Sequence, residues 1–249
     1  MLVGPQQGLF RLVFRKPADC ADMLASGEAD IGIVPSIELP RQRLAILPGL
    51  GIASRGDVRS ILLVSKVPLG DVKILAADIN SRTSVALARI LLSRQYQAEP
   101  RIVSMPPDVD RMLEGADAAL VIGDAALQFD PSSTPFATYD LGREWTAMTG
   151  LPMVFAVWAG KKEVVTPETA RVFKDSYQFG RQRLEQIAEE QGPPRGLTVE
   201  LAREYLTRHV VFEIGGEERA GLDLYLGYAQ ECGILDPVRY RWDPRPQET

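Results

Sequence analysis

Strand, polar turn and helix alternate along most of this chain, and that alternation limits the folds open to it more than any single motif. Asp30–Val34 is a short apolar run stopped by Pro35, and Ser60–Ser65 and Lys73–Ala77 are two more. A helical stretch over Ala18–Ser26, ended by Gly27, precedes the first of them. Phe10–Phe14 alternates like a half-buried strand. From Ser81 a helix carries Val85, Ala88 and Leu92 at helical spacing. Strand Arg101–Ser104, helix Val109–Glu114, strand Ala118–Ile122, helix Asp124–Leu127 and strands Ala137–Tyr139 and Pro152–Trp158 continue the series. The character then changes. Thr166-Pro167 reads as an N-cap with proline in the first helical position, opening one long helix towards Gln191. Gly192-Pro193-Pro194 breaks it, helices near 198–210 and 217–232 follow, and the tail from Pro237 reads as irregular.

Such alternation predicts an α/β fold of mostly parallel sheets with helices on both faces. Lys66–Gly70 and Ala159–Lys161 read as two connections between lobes. They predict a discontinuous first lobe, 1–66 with 161–249, and an inserted second lobe, 67–160. Ligand sites in such sheets gather at the carboxyl ends of strands and in clefts between lobes.

Composition narrows the chemistry. With 28 Lys and Arg against 33 Asp and Glu the net charge is −5, which lacks the basic footprint of a nucleic-acid binder. The longest apolar run, Leu151–Gly160, is too short to cross a bilayer, and the residues after Met1 do not resemble a secretory leader. Cys20, Cys232 and the lone His209 do not make a zinc site, and the cysteines read as free thiols. The expectation is a cytoplasmic protein without metal. P-loop, dinucleotide-binding, nucleophile-elbow and metalloprotease motifs are all missing, and His209, late in a helix without a Ser or Cys motif, reads as structural.

The most informative stretch is Asp78–Ser84, directly after a strand and opening a helix. The first amides of a helix lack internal partners and carry partial positive charge. Ser81, Arg82, Thr83 and Ser84 beside them form a receptor for a carboxylate; equally, they form a plain N-cap with Arg82 solvated. Ser36 falls just past the end of a strand, as a ligand contact or as a turn residue beside a solvated Glu38. Gly123 would admit a ligand close to the backbone, with Asp124 read first as an N-cap. Thr149–Phe155 leads into the return connection, with Thr149 and the backbone around Gly150 expected to face the cleft and Val154 and Phe155 read as core. Composition and spacing stop at a two-lobed binder of a small anion.

Several stretches together resemble the chorismate dehydratase family of the futalosine route to menaquinone. They are Gly27–Glu38, Ile46–Gly49, Ser60–Pro68, Ser81–Leu87, Asp117–Asp124 and Asp140–Trp158, with Gly221-Leu222 and Cys232–Leu235 fitting the closing helix. The resemblance implies a type-2 periplasmic-binding-protein fold used as a cytoplasmic enzyme. It also implies dehydration of chorismate to 3-[(1-carboxyvinyl)oxy]benzoate with no cofactor. Ser81, Arg82, Thr83 and Ser84 would hold one carboxylate of this dicarboxylate, and Ser36, Ser60 and Thr149 would meet the ring or the other acid group. Family members open with a strand and a Tyr-Leu-Asn-type motif whose Asn is central to catalysis. The motif is absent here, Asn80 is the only Asn and lies in another segment, and the expectation is a misplaced start codon or a truncated chain. No residue inherits the role of that Asn. The same features also fit a non-catalytic carboxylate-binding protein and the sister enzyme acting on a dehypoxanthine futalosine-derived substrate.

Overall fold

The computed structural model describes residues 3–42 and 44–236. Helix α1 (Pro17–Ser26) ends on Gly27 in the left-handed region at φ 79° and leads into β1 (Ile31–Pro35). A short α2 (Glu38–Gln42) precedes β2 (Ala45–Ser54). Next come β3 (Ile61–Ser65), β4 (Ile74–Asp78), α3 (Thr83–Tyr96), β5 (Arg101–Met105), α4 (Val109–Gly115) and β6 (Ala118–Ile122). Then follow α5 (Gly123–Gln128), β7 (Ala137–Asp140), α6 (Leu141–Thr149) and β8 (Met153–Gly160). The chain closes with α7 (Pro167–Arg181), α8 (Leu184–Gln191), α9 (Val199–Glu204), β9 (Val211–Glu213) and α10 (Gly216–Glu231).

Two sheets result, ordered β1-β8-β2-β9 and β5-β4-β6-β3-β7. The α/β class with two lobes stands, but the sheets are not mostly parallel. Only β4 with β5 and β4 with β6 run parallel; every pairing in the four-stranded sheet is antiparallel, as are β3 with β6 and with β7. Parallel pairing needs a crossover connection, and the neighbouring strands joined in that way are β4, β5 and β6, through α3 and α4. The strand ladders also differ from lobe boundaries at 66/67 and 160/161. Hydrogen bonding puts β3 in the five-stranded sheet and β8 in the four-stranded one, so the chain crosses at 55–60 and again after α6.

Phe10–Phe14 is not a strand. No strand among the described residues pairs with it, and without a ladder an alternating run gains nothing from extension. Leu12, Val13 and Phe14 are 38%, 39% and 70% exposed. The long helix expected to reach Gln191 bends at Gln182-Arg183, because α7 packs on β2 whereas α8 packs on α9. The stretch 198–210 is α-helical only to Glu204 and continues as a wider π-helical turn, Tyr205–His209. The tail from Pro237 lies outside the described residues. Cys20 and Cys232 are free thiols.

Contacts around α6 tie the crossings together. Asp140 accepts hydrogen bonds from the amides of Val58, Arg59, Gly142 and Arg143 at 2.6–3.1 Å. Arg143 grips the Asp57 carboxylate through two nitrogens at 2.5 Å, and the Gly56 amide donates to Thr146 Oγ1. A Cβ on Gly142 would lie 2.5 Å from the Gly56 carbonyl, so only glycine permits the approach. Arg59 adopts φ 63°, unusual for a side-chain-bearing residue, and its guanidinium donates to the carbonyls of Ala126, Leu127 and Phe129.

Candidate functional site

β4 delivers the chain to a tight turn. The Asp78 carboxylate accepts from the Asn80 backbone and side-chain amides at 2.9 and 2.8 Å, and the Ser81 amide donates to the Asp78 carbonyl. α3 then starts at Thr83, so Arg82 takes the N-cap position and no side chain caps the helix. The guanidinium of Arg82 is half-buried and paired. Its Nη2 lies 2.8 Å from both Asp22 oxygens, and Nη1 is 3.4 Å from Glu38 Oε2. Partial burial alone would lower the Arg82 pKa, but these acids outweigh it and hold it above its ordinary value.

Glu38 is not solvated. It is buried, and it also accepts from Arg41 Nη1 at 2.8 Å and Gln42 Nε2 at 3.2 Å. Thr83 is buried too: its hydroxyl oxygen accepts from the Ile37 amide at 3.4 Å and its carbonyl from the Tyr225 hydroxyl at 3.0 Å. Ile37 follows Ser36, whose hydroxyl donates to the Val154 carbonyl at 2.8 Å and whose amide donates to Phe155. Ser36, Arg82 and Thr83 therefore share one neighbourhood, where the end of β1 meets the start of α3. Ser84 is buried and Ser81 half-buried beside them.

Ser60 sits elsewhere. Its hydroxyl accepts from the Tyr205 phenol at 3.1 Å and its carbonyl from the Gly123 amide at 2.8 Å. Burial raises the pKa of Tyr205, helped by the charge of Asp124, so this phenol stays a donor. Gly123 itself begins α5 at φ 61°; the cap position falls on Ile122, not Asp124. Thr149 lies in the last turn of α6 and returns its hydroxyl to the Trp145 carbonyl at 2.8 Å. His209 closes the π-helical turn with Nδ1 3.1 Å from the Asp57 carbonyl.

Two cavities lie apart from all seven expected residues. One, of about 970 Å³, is walled by Phe10–Arg15, β1, β2, Trp158 and α7; the other, of about 670 Å³, lies between α7, α8 and β9. Sequence reasoning passed over Asp22 and Tyr205. Neither had a local signal, because Asp22 reaches Arg82 across 60 residues and the Tyr205 turn departs from helical spacing. Among the described residues, no group of three or more His, Cys, Asp or Glu could hold a metal ion, and no helix is long and apolar enough to cross a membrane.

Residues 2–231 match the family described as menaquinone biosynthesis. Over 243 residues the chain is 31% identical to chorismate dehydratase of Thermus thermophilus, covering 90% of this chain and 88% of that one. Protein AF1704 of Archaeoglobus fulgidus superposes with a TM-score of 0.69 at 19% identity, over 90% of this chain and 86% of that one. The periplasmic aliphatic sulphonate binding protein SsuA of Escherichia coli does so at 0.61 and 14%, over 89% and 77%. At such identities the two structures speak for the fold alone, which is of the periplasmic-binding-protein type.

Proposed function

This chain belongs to the menaquinone biosynthesis family, and we propose that it dehydrates chorismate to 3-[(1-carboxyvinyl)oxy]benzoate in a cleft between its lobes, as a cytoplasmic enzyme. The observation that carries this reading is the guanidinium of Arg82 at the uncapped start of α3, holding a carboxylate where elements of the two sheets meet. The Asp22 oxygens stand in for those of a substrate acid. In this reading Arg82, the first amides of α3 and the hydroxyls of Ser81, Thr83 and Ser84 grip one carboxylate of the dianion. Ser36, Ser60 and Thr149 do not join this grip: Ser36 and Thr149 spend their hydroxyls on the Val154 and Trp145 carbonyls, and Ser60 lies elsewhere, beside Tyr205.

The reaction removes the ring hydroxyl and a neighbouring ring proton, together one water, and leaves an aromatic ring. It neither oxidises nor reduces the substrate overall, so no redox cofactor is called for. Aromatisation supplies the driving force. The protein has to orient the leaving hydroxyl, exclude bulk water and steady the developing charge.

Incubating the purified chain with chorismate and separating the products by chromatography tests the reading. Chorismate should disappear as the benzoate accumulates; no product overturns it. Tight binding without turnover points instead to a carboxylate-binding protein, which the fold also serves. Arg82→Ala should raise KM roughly 10- to 150-fold, the loss of about 1.5–3 kcal/mol expected for a charged hydrogen bond. An unchanged KM would remove Arg82 from the site.

A further inference from the structure

A carboxylate of the protein already occupies the anchor assigned to the ligand. Asp22 lies on α1, which packs on β1 of the four-stranded sheet, whereas Arg82 follows β4 of the five-stranded sheet. The two acids on Arg82 are held very differently. Glu38 has a side chain only 5% exposed and is fixed by Arg41 and Gln42 as well. The Asp22 side chain is 63% exposed, and Arg82 is its only hydrogen-bonding partner among the described residues. Water can take over the Asp22 carboxylate with little loss, but it cannot reach Glu38. A carboxylate arriving at Arg82 therefore displaces Asp22 and leaves Glu38 to keep the guanidinium aimed.

We infer that Asp22 is an internal competitor that sets the affinity of this site for anionic ligands, an inference that rests on Arg82 being the substrate anchor. The free protein holds Arg82 closed on Asp22, and only the fraction with Asp22 released binds ligand at full strength. The apparent dissociation constant is the intrinsic one divided by that fraction. Asp22 differs in this from a residue that touches and positions the substrate, whose loss weakens binding.

The test compares wild type, Asp22→Asn and Asp19→Asn. Asp19 lies on the same helix and its replacement changes the net charge equally, but no contact links it to Arg82. KM for chorismate should fall roughly 2- to 5-fold in Asp22→Asn, the scale of an exposed ion pair, and stay unchanged in Asp19→Asn. An unchanged or raised KM in Asp22→Asn overturns the inference, and so does an equal fall in both variants, which would mark a general charge effect. Calorimetric titration with benzoate, a minimal ring carboxylate, gives a readout that needs no turnover. If wild type fails to act on chorismate, the functional reading falls. The benzoate series still decides the role of Asp22: affinity must rise in Asp22→Asn alone.

Discussion

The two sheets use similar residues on different plans. The five-stranded sheet is drawn from one continuous stretch, β3 to β7, whereas the four-stranded sheet gathers β1 and β2, β8, and β9 from three separate parts of the chain. Both faces of the first are packed: Leu63, Leu75 and Leu120 join the main core on one side, and Leu62, Val64, Ala76 and Val121 meet Met112, Leu113 and Ala126 on the other. In the second, Val34, Ala53, Val157 and Ala159 face that same main core, but the opposite face is covered thinly. There Leu47, Leu50 and Phe173 are buried, Ile31 and Trp158 only partly, and the larger cavity opens beside them. A contiguous segment can cover both faces of its sheet with its own helices. A sheet assembled from distant segments depends on whatever else the chain brings to it.

Three measurements sharpen or break this contrast. Leu120→Ala, at a fully buried site, should destabilise the protein by about 2–5 kcal/mol in urea denaturation, against about 1–2 kcal/mol for Ile31→Ala beside the cavity. Equal losses would mean that the two sheets are equally packed. Asp140→Ala leaves four amides without their charged acceptor and should remove about 3 kcal/mol. Separate unfolding steps in that variant, where wild type shows one, would mean Asp140 is what couples the sheets. The smallest effect belongs to Asp57. Its hydrogen bonds with Arg143 outweigh burial and hold its pKa below the ordinary carboxylate value. The pair therefore contributes fully above that range, and its contribution is lost as pH falls through the depressed folded-state value. Because both side chains are more than a third exposed, its worth is at most about 1 kcal/mol. Asp57→Asn should flatten that part of the acid limb of stability against pH, measured between about pH 6 and about pH 3.

Legibility in the sequence follows the same division. Strands β3 to β6 are readable because each is a short apolar run bounded by turn residues, and β4, β5 and β6 are each followed by a helix. β2 is hidden: Pro48, Gly49 and Gly51 interrupt its alternation, and its ladder with β8 shifts register between Ile46 and Gly51. α6 is absent from the sequence reading; it carries Gly142, a poor helix former, in its first turn, and the glycine is there because Gly56 presses against it. Phe10–Phe14 shows the converse, a strand-like run with no ladder partner. At the site, the polar cluster at the start of α3 is readable from its spacing after a strand. That Arg82 would meet Asp22 and Glu38 is not, because those contacts arise only when one sheet is laid against the other.

Asp140, Arg143 and Thr146 fasten residues 56–59 to the opening turns of α6, and so lash the outbound passage of the chain to the homeward one. Two separate cables would be free to slip past each other. Bound side by side, the two passages form a single rivet between the sheets, and the loss of any one lashing falls on the others.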